Sequence, residues 1–291
     1  MKKLSVFLAA VGLVISGLSG PAQAIPVYGN NAGLGTDIID VFDVDVTAGT
    51  GTLIRQYGAF SGNGRGVAVV GDIVYATAVN RPPFGDSHIY KIDRVTGTLI
   101  GSINTGLANP GALAFDGKNF WTTDYLSGNN KGYYIDAVTG ATLKTVSFSQ
   151  ATANMDGVEY FNGKLIVNRE DAGGFSGHSV YDIYDLNGNL LTANFITAVN
   201  GTGIAYDGTN FLVSDVRDSP NVLSVFDGGT GAFNEFIRLN TRGHQIEDLS
   251  VDYAQRADTG GGIGTVPEPA SLMLLGAGLA GLGALRRRMK A

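Results

Sequence analysis

A block of fourteen residues returns through the middle of the chain at a nearly fixed spacing. Gly111–Asp124 (GALAFDGKNFWTTD) matches Thr202–Asp215 (TGIAYDGTNFLVSD), and Gly157–Glu170 (GVEYFNGKLIVNRE) fits the same frame. A shortened copy begins at Gly66 (GVAVV) and a fifth at Asp248 (DLSVDY). The starts at 66, 111, 157, 202 and 248 lie 45 or 46 residues apart. A period held that closely requires one supersecondary unit used repeatedly, each copy burying its apolar face against the next.

Each unit reads as four strands. Two short apolar runs are joined at Asp116-Gly117, Asn162-Gly163 or Asp207-Gly208, dipeptides that supply the positive φ angles of tight hairpin turns. After a variable polar loop comes a second hairpin, whose first strand ends in Asp93, Asp136, Asp185 or Asp227. Its turn carries Thr96-Gly97, Thr139-Gly140, Asn187-Gly188 or Thr230-Gly231. No stretch inside the repeats follows the 3.6-residue period of a helix.

Four strands per ~45 residues is the size of one β-propeller blade. Residues 25–54 supply the last three strands of a unit, and Leu249–Tyr253 supply a first strand with no successors. Joined, the two ends complete one blade. The expected fold is therefore all-β: a five-bladed propeller over residues 25–255, closed by pairing of its N- and C-terminal strands. Residues 256–265 (RADTGGGIGT) read as a glycine-rich linker.

Both ends of the chain read as addresses. Lys2 and Lys3 precede an apolar run from Leu4 to Leu18, then Pro21 and Ala22-Gln23-Ala24. This is a secretory signal over residues 1–24, cut after Ala24 by signal peptidase. At the other end, Pro267-Glu268-Pro269 precedes an apolar run from Ala270 to Leu285 and the cluster Arg286-Arg287-Arg288. Sixteen helical residues reach about 24 Å, short of the ~30 Å hydrocarbon core, and the Arg cluster would keep that end in the cytoplasm.

The order Pro-Glu-Pro, glycine-rich apolar helix, Arg cluster resembles the PEP-CTERM sorting signal, here over residues 266–291. That resemblance implies processing by an exosortase, a membrane enzyme that cuts near the Pro-Glu-Pro motif. It further implies a Gram-negative cell that makes exopolysaccharide. The chain would be held for a time at the inner membrane by a transmembrane helix, facing the periplasm, before it reaches the surface or the medium. The Thr-Gly turns likewise resemble the outer hairpin of quinoprotein-type bacterial propellers. The tryptophan those repeats place after Thr-Gly is replaced here by residues such as Leu99 and Leu143, which argues against a quinone cofactor.

Composition narrows the chemistry. The chain has no cysteine, which excludes disulfides, thiolate metal sites and a cysteine nucleophile. Six of its 20 basic residues lie in the two addresses. With cuts after Ala24 and Pro269, 14 bases face 26 acids, a charge of −12 that argues against nucleic acid as a partner. No Walker loop, G-x-S-x-G elbow or H-E-x-x-H motif occurs.

In a propeller the first strand of each blade starts at one mouth of the channel, and the loop after the second strand returns there. The unusual residues fall on that side: Asp124, Glu170 and Asp215 in one aligned column, Asp156 and Asp248 near strand starts, and His244. Three readings stand. These groups cap turns and face solvent, or they converge to hold Ca²⁺ or a ligand, or they provide acid/base pairs for a lactonase or glycan hydrolase. Tyr28, Phe84, Tyr125 and Phe175 are rim aromatics suited to stacking on sugars. The favoured role is non-catalytic binding or structure at the cell surface or in the exopolysaccharide matrix, with the propeller enzyme as its alternative.

Overall fold

The reversals expected at Asp-Gly, Asn-Gly and Thr-Gly organise the molecule. The computed structural model describes residues 24–32, 38–58, 63–79, 87–124, 130–150, 155–170, 179–215, 221–240 and 245–259. The signal segment up to residue 23 and the C-terminal region from residue 260 onward lie outside the described residues, and so does the expected transmembrane helix. Among the described residues no helix is long and apolar enough to cross a membrane.

Among the described residues every regular element except two short 3-10 turns is a strand. Strands β4 (Asn63–Val70), β5 (Ile73–Val79), β6 (His88–Asp93) and β7 (Leu99–Asn104) form one antiparallel meander. A second comprises β8 (Pro110–Phe115), β9 (Phe120–Asp124), β10 (Lys131–Ile135) and β11 (Thr142–Ser147). The third is β12 (Val158–Phe161), β13 (Lys164–Glu170), β14 (Ser179–Asp185) and β15 (Leu190–Ala198).

The remaining strands share one eight-stranded sheet. Half of it is the meander β16 (Gly201–Tyr206), β17 (Asn210–Asp215), β18 (Val222–Asp227) and β19 (Phe233–Leu239). The other half is β1 (Ile25–Ala32), β2 (Ile39–Asp45) and β3 (Thr50–Tyr57), with β20 (Gln245–Ser250) paired antiparallel to β1. A short parallel pairing of β19 with β3, Arg238 opposite Thr50 and Leu239 opposite Gly51, joins the halves. The last strand thus pairs with the first, as expected from the sequence, and β1 begins at Ile25, the residue after the expected cut at Ala24.

The burial gradient within a meander explains its order. First strands β8, β12 and β16 are almost wholly buried, whereas the fourth strands β7 and β11 expose most residues. The first strands pack on one another in a closed circuit, β20 on β4, β4 on β8, β8 on β12, β12 on β16 and β16 on β20. Glycine permits the close approach. A Cβ on Gly66 would stand 2.4 Å from the Gly111 carbonyl oxygen, and one on Gly203 would stand 2.4 Å from the Asp248 Cα.

The outer turns repeat a side-chain device. Asp93 Oδ1 accepts from the backbone N–H groups of Val95 (3.0 Å) and Thr96 (2.7 Å) and from the Thr96 hydroxyl (2.8 Å). Asp136 with Thr139 and Asp227 with Thr230 repeat it. Gly97, Gly140 and Gly231 then reverse the chain at φ between 71° and 78°. The Asp-x-x-Thr-Gly spacing of the sequence is therefore a capped turn.

Candidate functional site

The circuit of first strands has two ends. At the far end, beside the turns between first and second strands, the segment after β20 folds into two 3-10 turns, Tyr253–Gln255 and Ala257–Thr259. Arg256, which the sequence analysis assigns to the linker, is 4% exposed. Its Nη1 lies 2.8 Å from Glu159 Oε1 and its Nη2 2.8 Å from Asp258 Oδ2. Its guanidinium stacks over Tyr253 (4.7 Å) and Tyr206 (5.2 Å).

Glu159 has no exposure and also accepts from the Tyr253 hydroxyl at 2.8 Å. Burial pushes its carboxyl up to about 7, although Arg256 and Tyr253 pull the other way. For Arg256 burial disfavours the charge, and Glu159 and Asp258 outweigh it, so its pKa is raised. Thr259 donates to the carbonyls of Tyr253 (2.5 Å) and Arg256 (3.0 Å), and the folded part runs at least that far. This end is closed by the chain itself.

The closing strand also zips onto β4. Alternate side chains of β20 and the residues after it satisfy N–H groups along that neighbour: Asp248 Oδ2 accepts from Val67 (2.9 Å), Ser250 Oγ from Val69 (3.0 Å) and Asp252 Oδ1 from Gly71 (3.0 Å). Asp248 Oδ2 accepts from Leu113 of β8 as well, at 3.2 Å. Burial drives this carboxyl well above its ordinary range, against three backbone N–H groups that lower it. A buried carboxyl oxygen shared by the amides of two neighbouring strands suits a structural clasp.

A second polar set escaped the sequence reading. Asn30, Thr77, Thr123, Asn168 and Ser214 are each at most 1% exposed and lie on second strands, all but Asn168 beside an irregularity in the pairing with the first strand. Gly66 donates to Thr77 Oγ1 (2.6 Å), Gly157 to Asn168 Oδ1 (3.0 Å) and Gly203 to Ser214 Oγ (3.0 Å). Others reach the next first strand: Asn30 to the Gly66 carbonyl (2.8 Å), Thr77 to that of Gly111 (2.5 Å) and Thr123 to that of Met155 (2.8 Å). They hold the circuit together by hydrogen bonds where backbones crowd.

These bonds fix the alignment of the repeats. Asp116 with Asn119, Phe161 with Lys164 and Asp207 with Asn210 are equivalent last pairs before the turn. Counting onward from them, Asp124 and Asp215 share a position with Arg169, and Glu170 falls one residue beyond. The expected acidic column is therefore interrupted by an arginine, whose Nε pairs with Asp182 Oδ2 at 2.8 Å.

The candidate residues separate accordingly. Asp156 (4% exposed) and Asp248 are buried near the axis, both within electrostatic reach of the Tyr181 phenol. Asp215 ends β17 and lines a cleft of about 570 Å³ between the third meander and the β16–β19 meander, walled by Val199, Phe226, Phe233 and Phe236 with Arg238 at its edge. Asp124 and Glu170 end β9 and β13, but their side chains lie outside the described residues, as do His244, Phe84, Tyr125 and Phe175 entirely. Tyr28 is no rim aromatic: it is 3% exposed and its hydroxyl takes the Arg94 Nε–H at 2.6 Å. Among the described residues no three His, Asp or Glu side chains are grouped to hold a metal ion.

Comparison with known proteins adds the fold and the address. No curated protein matches the chain by sequence. A chain of a nidogen/laminin complex is similar in structure with TM-score 0.51 and 13% identity, covering 78% of this chain and 97% of that one. Glutaminyl cyclase of Myxococcus xanthus follows with TM-score 0.44, 14% identity and coverage of 71% and 76%. Hydrazine synthase of Kuenenia stuttgartiensis gives 0.42, 14%, and 77% and 69%. The likeness to the nidogen/laminin chain carries the fold alone, which is β-propeller-like. Residues 265–288 match the model of the PEP-CTERM protein-sorting motif, so the chain joins an exosortase sorting signal to a β-propeller-like body.

Proposed function

We propose that this is a secreted, exosortase-sorted five-bladed propeller that serves as a non-catalytic binding or structural protein of the cell surface or exopolysaccharide matrix. The count of five follows from grouping the twenty strands into five four-strand meanders, β20 completing the one begun by β1. The observation that carries the non-catalytic role is what the axial acids are used for. Asp248 receives amides of β4 and β8, and Glu159 neutralises Arg256. Neither is left facing an open pocket as an acid/base pair would be.

Binding then belongs to the cleft beside Asp215. Phe233 and Phe236 are 49% and 59% exposed with ring centroids 4.7 Å apart, an aromatic surface on a rigid sheet. Before sorting, the C-terminal segment holds the chain at the inner membrane, and signal peptidase and exosortase are its processing partners.

The test is fractionation of an exopolysaccharide-producing, exosortase-carrying bacterium expressing the full chain. Deleting residues 265–288 should abolish processing and matrix retention, and the double substitution Phe233→Ala, Phe236→Ala should lower retention without changing folding. Retention unaltered by the deletion refutes the sorting role. Conversion of a matrix glycan or lactone by the wild type, lost in Asp215→Asn, would replace the binding role with the enzyme.

A further inference from the structure

The exit of the chain from its folded body fixes how that body faces the membrane. Thr259 is 5% exposed, and its carbonyl lies so close to the β8–β9 turn that no side chain fits at Gly117. Around it stand turns of several meanders: Asn162 N–H donates to Asp258 at 2.9 Å, Tyr206 lies under Arg256, and Gly71 N–H donates to Asp252. The tail therefore leaves near the centre of the closed end, from a buried and ion-paired anchor.

Ten residues, 260–269, carry the chain from there to Ala270, where the apolar run begins. Fully extended they span at most about 36 Å at ~3.6 Å each, whereas a glycine-rich coil of that length spans about 17 Å. Reaching the other end means crossing three strand spacings outward, ~14 Å at ~4.8 Å each, and then running ~20 Å along a six-residue strand. That detour of ~34 Å ends only at the outer edge of the opposite rim. The axial route is blocked, because the first strands are in mutual contact and Tyr253, Glu159 and Arg256 fill their far end. Only the fully stretched length brings the apolar run to the opposite rim, and coil dimensions reach about half of that distance.

We infer that the end closed by Asp252–Thr259 is the membrane-facing side of the uncut protein, and that the rim carrying the ends of β9 and β17, Asp215 among them, points away from the bilayer. The inference rests on the proposal that the tail is held in the inner membrane. It turns the Asp215 end of the cleft away from the bilayer while the chain is still anchored, with Phe233 at the membrane-facing end.

The absence of cysteine allows a direct test with the full chain. Lys118 and Ala108 are exposed and lie beyond opposite ends of β8, Lys118 in the turn at the closed end and Ala108 before the strand's start. Lys118→Cys and Ala108→Cys, each labelled with one dye, are reconstituted in phosphatidylethanolamine/phosphatidylglycerol vesicles carrying a headgroup quencher. The dye at 118 should be quenched several-fold more than that at 108. Inserting about 30 Gly/Ser residues after Thr259 should erase the difference, since such a linker lifts the limit on reach. Equal quenching of the two sites without the insert, or stronger quenching at 108, overturns the orientation while leaving the anchor intact. Failure of the chain to bind vesicles at all overturns the anchored state and the orientation with it.

Discussion

Replacing Arg256 by Met should destabilise the protein by an amount that grows with pH. The wild-type Glu159 carboxyl, moved from 4.5 to about 7 by burial, binds a proton more tightly folded than unfolded. Its contribution is fully present below the unfolded value and is lost as pH rises through 7, a change of about 3 kcal/mol for this fully buried group. Arg256 limits that loss, because it favours the ionised form. Without it Glu159 stays protonated beyond pH 7, and the variant loses a further ~1.4 kcal/mol per pH unit relative to wild type. At about pH 8.5 this amounts to ~2 kcal/mol. Lost cation–π contacts and the stranded Asp258 add a further ~1–2 kcal/mol, bringing the total to the usual ~3–5 kcal/mol for a broken buried pair. Urea unfolding at about pH 5, 7 and 8.5 reads the difference. Trp121, 2% exposed and against Tyr134, is the only tryptophan and serves as the probe. A gap between variant and wild type that is flat with pH, or widest at pH 5, refutes the assignment of Glu159 as the titrating partner.

Three further outcomes follow from the same contacts. Gly203→Ala places a methyl 2.4 Å from the Asp248 backbone, where nothing can swing away, and should cost at least ~1–3 kcal/mol by thermal unfolding; an unchanged melting temperature contradicts the packed axis. Asp248→Asn keeps an acceptor for the Val67 and Leu113 amides but removes a carboxyl whose folded pKa is raised, so stability should fall less steeply with rising pH than in wild type, and an identical slope counts against it. Asp136→Ala removes a turn cap whose carboxyl is held below 3.8 by the Thr139 backbone and hydroxyl. Its deficit in chemical denaturation should be present above that value and disappear as pH falls through the lowered pKa; a deficit that persists in acid points to another cause.

What the sequence disclosed and what it concealed divide along one physical line. Local rules were legible: Asp-Gly and Thr-Gly mark where φ must turn positive, and Gly97, Gly140 and Gly231 do so. The sorting signal is also local, three parts in order over a short stretch, and residues 265–288 match it. Register between distant segments was not legible. The ungapped alignment set Glu170 beside Asp124 because it counted residues, whereas strands align by their pairs: the turns Gly117-Lys118, Asn162-Gly163 and Gly208-Thr209 are equivalent, which puts Arg169 in that position. For the same reason nothing in the sequence relates Thr77, Thr123, Asn168 and Ser214, which the strand pairing brings into one column. One non-local feature did leave a trace. Where the repeats at Gly66 and Gly111 begin with glycine and apolar residues, Asp248-Leu-Ser-Val-Asp252 alternates polar with apolar at period two. A buried first strand has no solvent side to justify that alternation, so its polar face must be satisfying backbone groups of a neighbour. In the structure those groups are the amides of Val67, Val69 and Gly71, and Asp248, one of the candidate acids, belongs to that closing seam.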